Sequence, residues 1–277
     1  MTDIREKLAS LKPGEVGIIY IGQAGFILSS GGVTAFVDPY LSYSVDHACE
    51  KGDGLWTRRY APPILPEEAD FADYVFVSHD HLDHADPETL RGIAGANPSV
   101  KIVCGSAIAD AVEGYCSADV IGAYDGWTVN CTEFQVKVIP AAHEEIHRDS
   151  RGDPTECGFI FDFGKVKVYH AGDSLVYDGL CDTVRGVDVM LLPVNGNGFY
   201  RRADNIVGNM DAYDAARLAS DSAAKLMIPM HFDLYEGNSV PECAVKAIVA
   251  AAAPSLDCRI PTPGCGYVIA DGKIREL

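Results

Sequence analysis

The segment Tyr74-Val75-Phe76-Val77-Ser78-His79-Asp80-His81-Leu82-Asp83-His84 joins four apolar, β-prone residues to a polar turn that carries three histidines and two aspartates. Two imidazoles two positions apart in an extended or tightly turned loop can face the same way and share a metal ion, while Asp83 and His84 project toward a neighbouring site. Burying four such groups without a metal would be costly, so a purely structural role is disfavoured. Three further ligand candidates stand just past apolar runs: His143 after Val136 to Pro140, Asp173 after Lys167 to His170, and His231 after Leu226 to Met230. Each alone reads as a loop or core residue. Strand ends on one edge of a sheet, however, bring sequence-distant residues together.

Upstream of this segment, Val16 to Ile21, Gly25 to Ser29 and Val33 to Val37 are β-rich runs separated by glycine-containing turns, a pattern that predicts a meander. Pro39 to Asp70 shows neither helical nor strand periodicity and holds Pro62, Pro63 and Pro66; connections this long are usually functional lids or disordered. Downstream, Asp86 and Pro87 occupy the N-cap and first position of a predicted helix. Strand and helix then alternate. A strand from Val100 to Cys104 leads to a helix near Ser106 to Gly114 and strands near Ala118 to Ile121 and Thr128 to Pro140. A β pair (Cys157 to Phe163, Lys165 to His170), a strand from Val187 to Pro193 and a polar loop from Asn195 to Asn209 follow. A helix from Asp211 to Ser220, a strand from Lys225 to Met230, a helix from Pro241 to Ala252 and a terminal β pair (Gly266 to Ala270, Lys273 to Glu276) finish the chain. The expected architecture is α/β (α+β), two mixed sheets with outer helices, in one domain spanning residues 1–277.

With 48% apolar and 22% charged residues in 277, the chain has a globular composition, which rules out disordered, collagen-like and coiled-coil classes. A formal charge of −18 argues against nucleic-acid and anionic-membrane partners, because phosphate attraction needs a basic footprint. The nine cysteines are odd in number and no two are three apart, so neither a zinc ribbon nor a full disulfide framework is expected. The first residues are charged and lack the apolar run of a signal peptide, and no stretch approaches the ~20 apolar residues of a spanning helix. These features predict a cytoplasmic protein acting on a small-molecule substrate, with a homo-oligomeric state left open.

The quoted residues resemble the metallo-β-lactamase superfamily, whose ligand order is HxHxDH, His, Asp, His. Within it they are most similar to the L-ascorbate-6-phosphate lactonase (UlaG-like) branch, through Val37-Asp38-Pro39, SHDHLDH, Tyr169-His170-Ala171-Gly172-Asp173-Ser174, Met210-Asp211-Ala212-Tyr213-Asp214-Ala215 and Ile228-Pro229-Met230-His231-Phe232-Asp233. The resemblance implies a four-layer αββα sandwich. It would put His79, His81 and His143 on one divalent ion and Asp83, His84 and His231 on a second, with Asp173 bridging both and with catalytic roles for Asp83 and Asp173. Zn²⁺ suits the imidazoles, whereas the carboxylates and open positions also admit Mn²⁺ or Fe²⁺; the lactonase branch implies Mn²⁺. Asp38, Asp80 and His170 are read as residues behind the ligands that orient them. His47 and His147 are read as solvated loop histidines. The chain is shorter than the lactonases of that branch, chiefly before HxHxDH.

Six of the twelve arginines fall in three irregular segments expected to rim the metal edge: Arg58 and Arg59, Arg148 and Arg151, Arg201 and Arg202. Guanidinium groups bind carboxylate or phosphate bidentately, so an anionic substrate is one reading. The other is that they pair with Glu144, Glu145, Asp149 and Asp153. Tyr40, Arg58, Arg59, Asn195, Tyr200, Arg201 and Arg202 are the candidate substrate contacts, with Asp173, Tyr40 or Tyr200 as candidate proton donor. The expected activity is metal-dependent hydrolysis of a small anionic, sugar-like lactone. The alternatives are a phosphodiesterase acting on a small cyclic or lipid-like diester, and a metal-dependent metabolite-binding protein without turnover.

Overall fold

The computed structural model describes residues 4–49, 54–203 and 206–277. After helix α1 (Ile4–Ala9), strands β1 (Val16–Gly22), β2 (Gly25–Ser30) and β3 (Val33–Val37) form the predicted antiparallel meander. Helix α2 (Ser44–Ala48) and a 3₁₀ turn (Pro66–Glu68) interrupt the segment expected to be irregular. Strand β4 (Tyr74–Val77) then pairs parallel with β3.

Helix α3 (Pro87–Ala96) starts where the sequence places it, because the Asp86 carboxylate accepts the backbone N–H groups of Glu88 and Thr89. Strand β5 (Lys101–Gly105), helix α4 (Ala109–Tyr115) and strand β6 (Asp119–Ala123) complete the parallel run β3-β4-β5-β6. The run Thr128 to Pro140 is a hairpin, β7 (Thr128–Asn130) and β8 (Gln135–Pro140), which opens the second sheet.

That sheet continues through β9 (Cys157–Asp162), β10 (Lys167–His170), helix α5 (Leu180–Thr183) and β11 (Val189–Pro193). Helix α6 (Phe199–Ala203) lies within the segment expected to be a polar loop. Helix α7 (Ala212–Asp221), capped by Asp211, leads to β12 (Leu226–Met230), helix α8 (Glu242–Ala252) and the two-residue strand β13 (Asp257–Cys258). Strands β14 (Gly266–Ala270) and β15 (Lys273–Glu276) return to the first sheet beside β1. The sheet orders are β15-β14-β1-β2-β3-β4-β5-β6 and β13-β12-β11-β10-β9-β8-β7, each antiparallel on one side and parallel on the other.

Every residue of β1 is buried, and its two faces serve different layers. Val16, Ile18 and Tyr20 join Phe26, Phe76, Phe159, Phe161 and Leu191 in the core between the sheets. Ile19 and Ile21 instead meet Leu90 and Ile93 of α3 and Val112 of α4 on the outer face. Helices α7 and α8 cover the second sheet through Ala216, Leu218, Val245 and Val249. The layers are therefore helix, sheet, sheet, helix, as the resemblance implies. Among the described residues no helix is long and apolar enough to cross a membrane.

Candidate metal centre

Strands β3, β4, β8, β10, β11 and β12 all run toward the same edge of the sandwich, and the residues just past their ends meet there. This is the edge where open α/β sheets place ligands. Asp38 follows β3, the SHDHLDH turn follows β4, and His143 follows β8, while Asp173, Asn195 and His231 follow β10, β11 and β12. The geometry needs unusual backbone: Gln23, Asp38 and His231 hold φ of 55°, 42° and 60°, a left-handed region costly for side chains with a Cβ and frequent at functional sites. The His231 N–H donates to the Gln23 carbonyl at 2.8 Å, which joins the β1–β2 turn to the end of β12.

The structure brings all seven candidate ligands together. His79, His81 and His143 lie with their ligand atoms within 4.8 Å of one another, as do Asp83, His84 and His231, and His79, His84 and Asp173. Asp173 reaches both groups: Oδ1 is 3.4 Å from His84 Nε2, and Oδ2 is 3.2 Å from His231 Nε2 and 3.7 Å from His143 Nε2. His81 is exposed and Asp83 half-buried, whereas the other five are buried, so the cluster opens to solvent past His81.

Three imidazoles have an oxygen behind Nδ1. Ser78 Oγ stands 2.9 Å from His79 Nδ1, Asp38 Oδ2 is 2.8 Å from His84 Nδ1, and the Gly208 carbonyl is 3.3 Å from His143 Nδ1. Such partners leave Nε2 as the ligating atom. Asp38 also accepts from the Ser78 N–H at 2.7 Å and the Ser78 hydroxyl at 2.6 Å. It therefore fixes the turn as well as the ring.

Burial pushes His79 and His143 below their ordinary pKa, so both are neutral and ready to ligate. Burial pulls on His84 and His231 in the same direction, but Asp173 and Asp83, joined at His84 by Asp38, outweigh it and raise both. Burial would raise Asp173 and Asp83; the facing histidines reverse that and hold both carboxyls below their usual range.

The residues fit divalent ions. His84 Nε2 and Asp173 Oδ1 are buried, face one another at 3.4 Å and fall short of a regular hydrogen bond, an arrangement that an ion between them would satisfy. The spacing agrees: two ligand atoms at ~2.0–2.1 Å from one tetrahedral ion stand about 3.3 Å apart, close to the 3.2–3.4 Å that separate His231 from Asp83 and Asp173 and His84 from Asp173, with Asp83 and His84 3.8 Å apart.

Around the ligands, several expected contacts take other roles. Asp80 is exposed and accepts from the Tyr115 hydroxyl at 2.7 Å, because alternation along the turn sends it outward; it orients no ligand. His170 is buried, but its ring spans the Ala24 carbonyl (2.8 Å) and the Gly172 N–H (3.1 Å), fixing the turn before Asp173. Tyr40 is buried and accepts from Tyr235 Oη at 2.8 Å and from the Val45 N–H at 3.1 Å, so its hydroxyl is engaged away from the cluster.

Arg58 is also buried, stacked on Tyr40 and donating to the Ser42 and Tyr60 carbonyls. Arg59 pairs with Glu236 and Ser239, Arg148 with Asp125, and Arg151 with Asp149. These four arginines brace loops, which leaves Arg201 and Arg202 of α6 as the remaining arginines of the three segments. There Arg201 is half-buried and bonded to Asn238, and Arg202 is exposed. The Tyr200 side chain lies outside the described residues. Asn195 is buried and donates to Asn238, so it stands behind the site.

Two residues escaped the sequence reading. Gln23 is buried and donates through Nε2 to Asp83 Oδ2 at 2.7 Å, with His231 Nε2 at 3.2 Å. Asn238 places its amide nitrogen 3.3 Å from His231 Nδ1. The only sequence signal for Gln23 was its place between two glycine-flanked strands.

Two mixed sheets packed face to face, with a histidine and aspartate cluster at their common edge, make a metallo-β-lactamase fold. The chain belongs to the β-lactamase superfamily: the model of the beta-lactamase superfamily domain matches residues 17–231, which include all seven candidate ligands. It is similar to a UPF0173 metal-dependent hydrolase of Hyperthermus butylicus, 29% identical over 225 residues that cover 78% of this chain and 83% of the relative. Another such hydrolase, from Aeropyrum pernix, is 28% identical over 270 residues, 90% of this chain and 96% of the relative. Among solved structures, a possible metal-dependent hydrolase from Veillonella parvula superposes with a TM-score of 0.72 at 16% identity, covering 94% of this chain and 100% of that one. These likenesses reach the superfamily and do not single out the lactonase branch.

Proposed function

We propose that the protein is a metal-dependent hydrolase and, within that class, a lactonase that opens a small anionic, sugar-like cyclic ester. The observation that carries the hydrolase reading is the cluster of five histidines and two aspartates, five of the seven buried, in which Asp173 approaches both triads. Divalent ions bound there would lower the pKa of a water and polarise the oxygen of the electrophile. His79, His81, His143, Asp83, His84, Asp173 and His231 would hold them.

The remaining chemistry belongs to this chain's own residues. Asp173 is ionised, so a carboxylate oxygen is available to take a proton from the attacking water and return it to the leaving oxygen. Gln23 holds Asp83 in place through its amide. His81 is exposed, which leaves the cluster open to solvent, and Arg201 and Arg202 supply positive charge that would favour an anionic substrate.

The test is metal content measured together with hydrolysis of sugar-phosphate lactones, neutral lactones and bis-p-nitrophenyl phosphate, with Mn²⁺ or Zn²⁺ added back. Two ions per chain and ring opening that prefers phosphorylated lactones are expected. Asp173→Asn is expected to lower turnover by more than about 100-fold, beyond the loss typical of residues behind the ligands. Diester cleavage alone would replace the lactonase by a phosphodiesterase, and bound metal without turnover would leave a binding protein.

A further inference from the structure

Gln23 occupies the turn between β1 and β2, buried and at φ 55°, a conformation strained for a residue with a Cβ. Its carbonyl accepts the His231 N–H at 2.8 Å, and the Tyr20 hydroxyl stands 3.2 Å from the same oxygen. The backbone that carries this side chain is therefore fixed to the backbone of a candidate ligand. The end of the Gln23 amide lies inside the cluster, 2.7 Å from Asp83 Oδ2 and 3.2 Å from His231 Nε2.

Asp83 Oδ2 and His231 Nε2 are themselves 3.3 Å apart, so the amide end closes a triangle with them. Ligand atoms ~2.1 Å from one ion stand about 3.0 Å apart where they meet at right angles and about 3.4 Å apart in a tetrahedron. All three sides of the triangle match such a shell. The amide end does not fill the middle of the group, because His84 Nε2 and Asp173 Oδ1 on its other side make no hydrogen bond to it. It flanks the edge between Asp83 and His231, where a further ligand of the same ion would stand. Which atom is presented there follows from what faces it. A carboxylate only accepts, so against Asp83 alone the end is NH₂. Against a cation it is the carbonyl oxygen, reached by a half-turn about the last, soft side-chain torsion.

We propose that Gln23 is a further ligand of the ion held by Asp83, His84, His231 and Asp173, through its side-chain carbonyl oxygen. This deepens the hydrolase reading and rests on the cluster holding two ions. The second group then offers two imidazoles and three oxygen ligands, whereas His79, His81, His143 and Asp173 offer three imidazoles and one oxygen. Oxygen-rich groups with more than four ligands suit Mn²⁺, and nitrogen-rich tetrahedral ones suit Zn²⁺. Gln23 thereby sets a difference in ion preference between the two halves of one cluster.

The test is titration of the metal-stripped protein with Mn²⁺ and with Zn²⁺, comparing the natural chain with Gln23→Glu and Gln23→Leu, together with a crystal structure of the natural chain loaded with Mn²⁺. A side chain that only steadies Asp83 by donating an N–H is disabled in both variants. A ligand is lost in Gln23→Leu but replaced by a carboxylate oxygen in Gln23→Glu. Gln23→Glu is therefore expected to bind the second Mn²⁺ at least as tightly as the natural chain. Gln23→Leu is expected to bind it about 100-fold more weakly, and to lose about 10-fold or less for Zn²⁺, which four ligands satisfy. In the crystal the Gln23 oxygen is expected about 2.0–2.3 Å from the ion. The first ion, at His79, His81 and His143, reports folding and serves as the internal reference. Weaker second-ion binding in Gln23→Glu with that reference intact, or an amide more than about 3 Å from the ion in the crystal, would overturn the ligand and leave the hydrolase reading in place. Where Gln23→Glu loses the reference ion as well, the crystal structure decides. A natural chain that binds one ion only would also overturn the ligand, and one that binds none would overturn both readings.

Discussion

Asp38 sits at φ 42°, a conformation that Asp and Asn tolerate better than most residues. From there it accepts the Ser78 N–H, the Ser78 hydroxyl and His84 Nδ1, all at 2.6–2.8 Å. Asp38→Asn keeps the size and the backbone preference but replaces one acceptor oxygen by a donor, which leaves either Ser78 or His84 facing an N–H. Metal affinity is expected to fall about 10–100-fold, measured by competition with a chelator of known strength; unchanged affinity would mean that His84 is oriented by something else. At this scale the cluster was legible because histidines and aspartates spaced across one turn have few uses other than a metal. Asp80 was misread because residue type does not reveal which way a side chain leaves the turn. The partners of Arg59 and Arg148 were not legible because Glu236 and Asp125 are distant in sequence from the arginines they pair with.

Among the elements, the turn after β10 is the least tolerant. Gly172 has φ +59°, and a Cβ there would stand 2.6 Å from the Cys157 carbonyl and 2.9 Å from Ser78 Cβ. Both neighbours belong to the frame around the ligands, so neither can yield without moving the SHDHLDH turn or Asp173. Gly172→Ala is therefore expected to lower the melting temperature and to lose metal, followed by thermal melts with and without Mn²⁺. A variant that melts lower yet binds metal normally would show that strain here does not reach the site. Strands and capped helices were legible along nearly the whole chain, since apolar alternation and the Asp86-Pro87 signal are local. Short elements such as α2, α6 and β13 were not, because five residues or fewer carry too little periodicity and form only against neighbours. Gln23 and Asn238 stayed hidden for the same reason, as tertiary contacts alone bring them to the ligands.

Taken as one molecule, the protein has a pH response set by the cluster. His84 is raised above its ordinary pKa, so without metal its proton stabilises the fold fully below about pH 6.5, and that contribution is lost as pH rises through the elevated value. Asp38, Asp83 and Asp173 are lowered, so their contribution is present above pH ~4 and is lost as pH falls through their depressed values. Metal-stripped protein is thus expected to melt at progressively lower temperature as pH rises above neutrality. Metal-loaded protein holds its melting temperature, because an ion takes the place of the proton on His84. Melts from pH 6 to 9.5 with and without chelator check this, and parallel curves would refute it.

The seven candidate ligands come from both sheets: four from the turn after β4 and three from the ends of β8, β10 and β12. All nine cysteines are free, so no covalent staple joins the halves of the sandwich. Ions that bind His79 together with His143, or Asp83 together with His231, would act as reversible cross-links and close loops of roughly 60 to 150 residues, which restrains the unfolded chain as a disulfide does. Unlike a disulfide, such a clasp is indifferent to reducing conditions and answers to ion supply. Metal starvation would therefore shorten the life of the polypeptide under proteolysis as well as silence its chemistry.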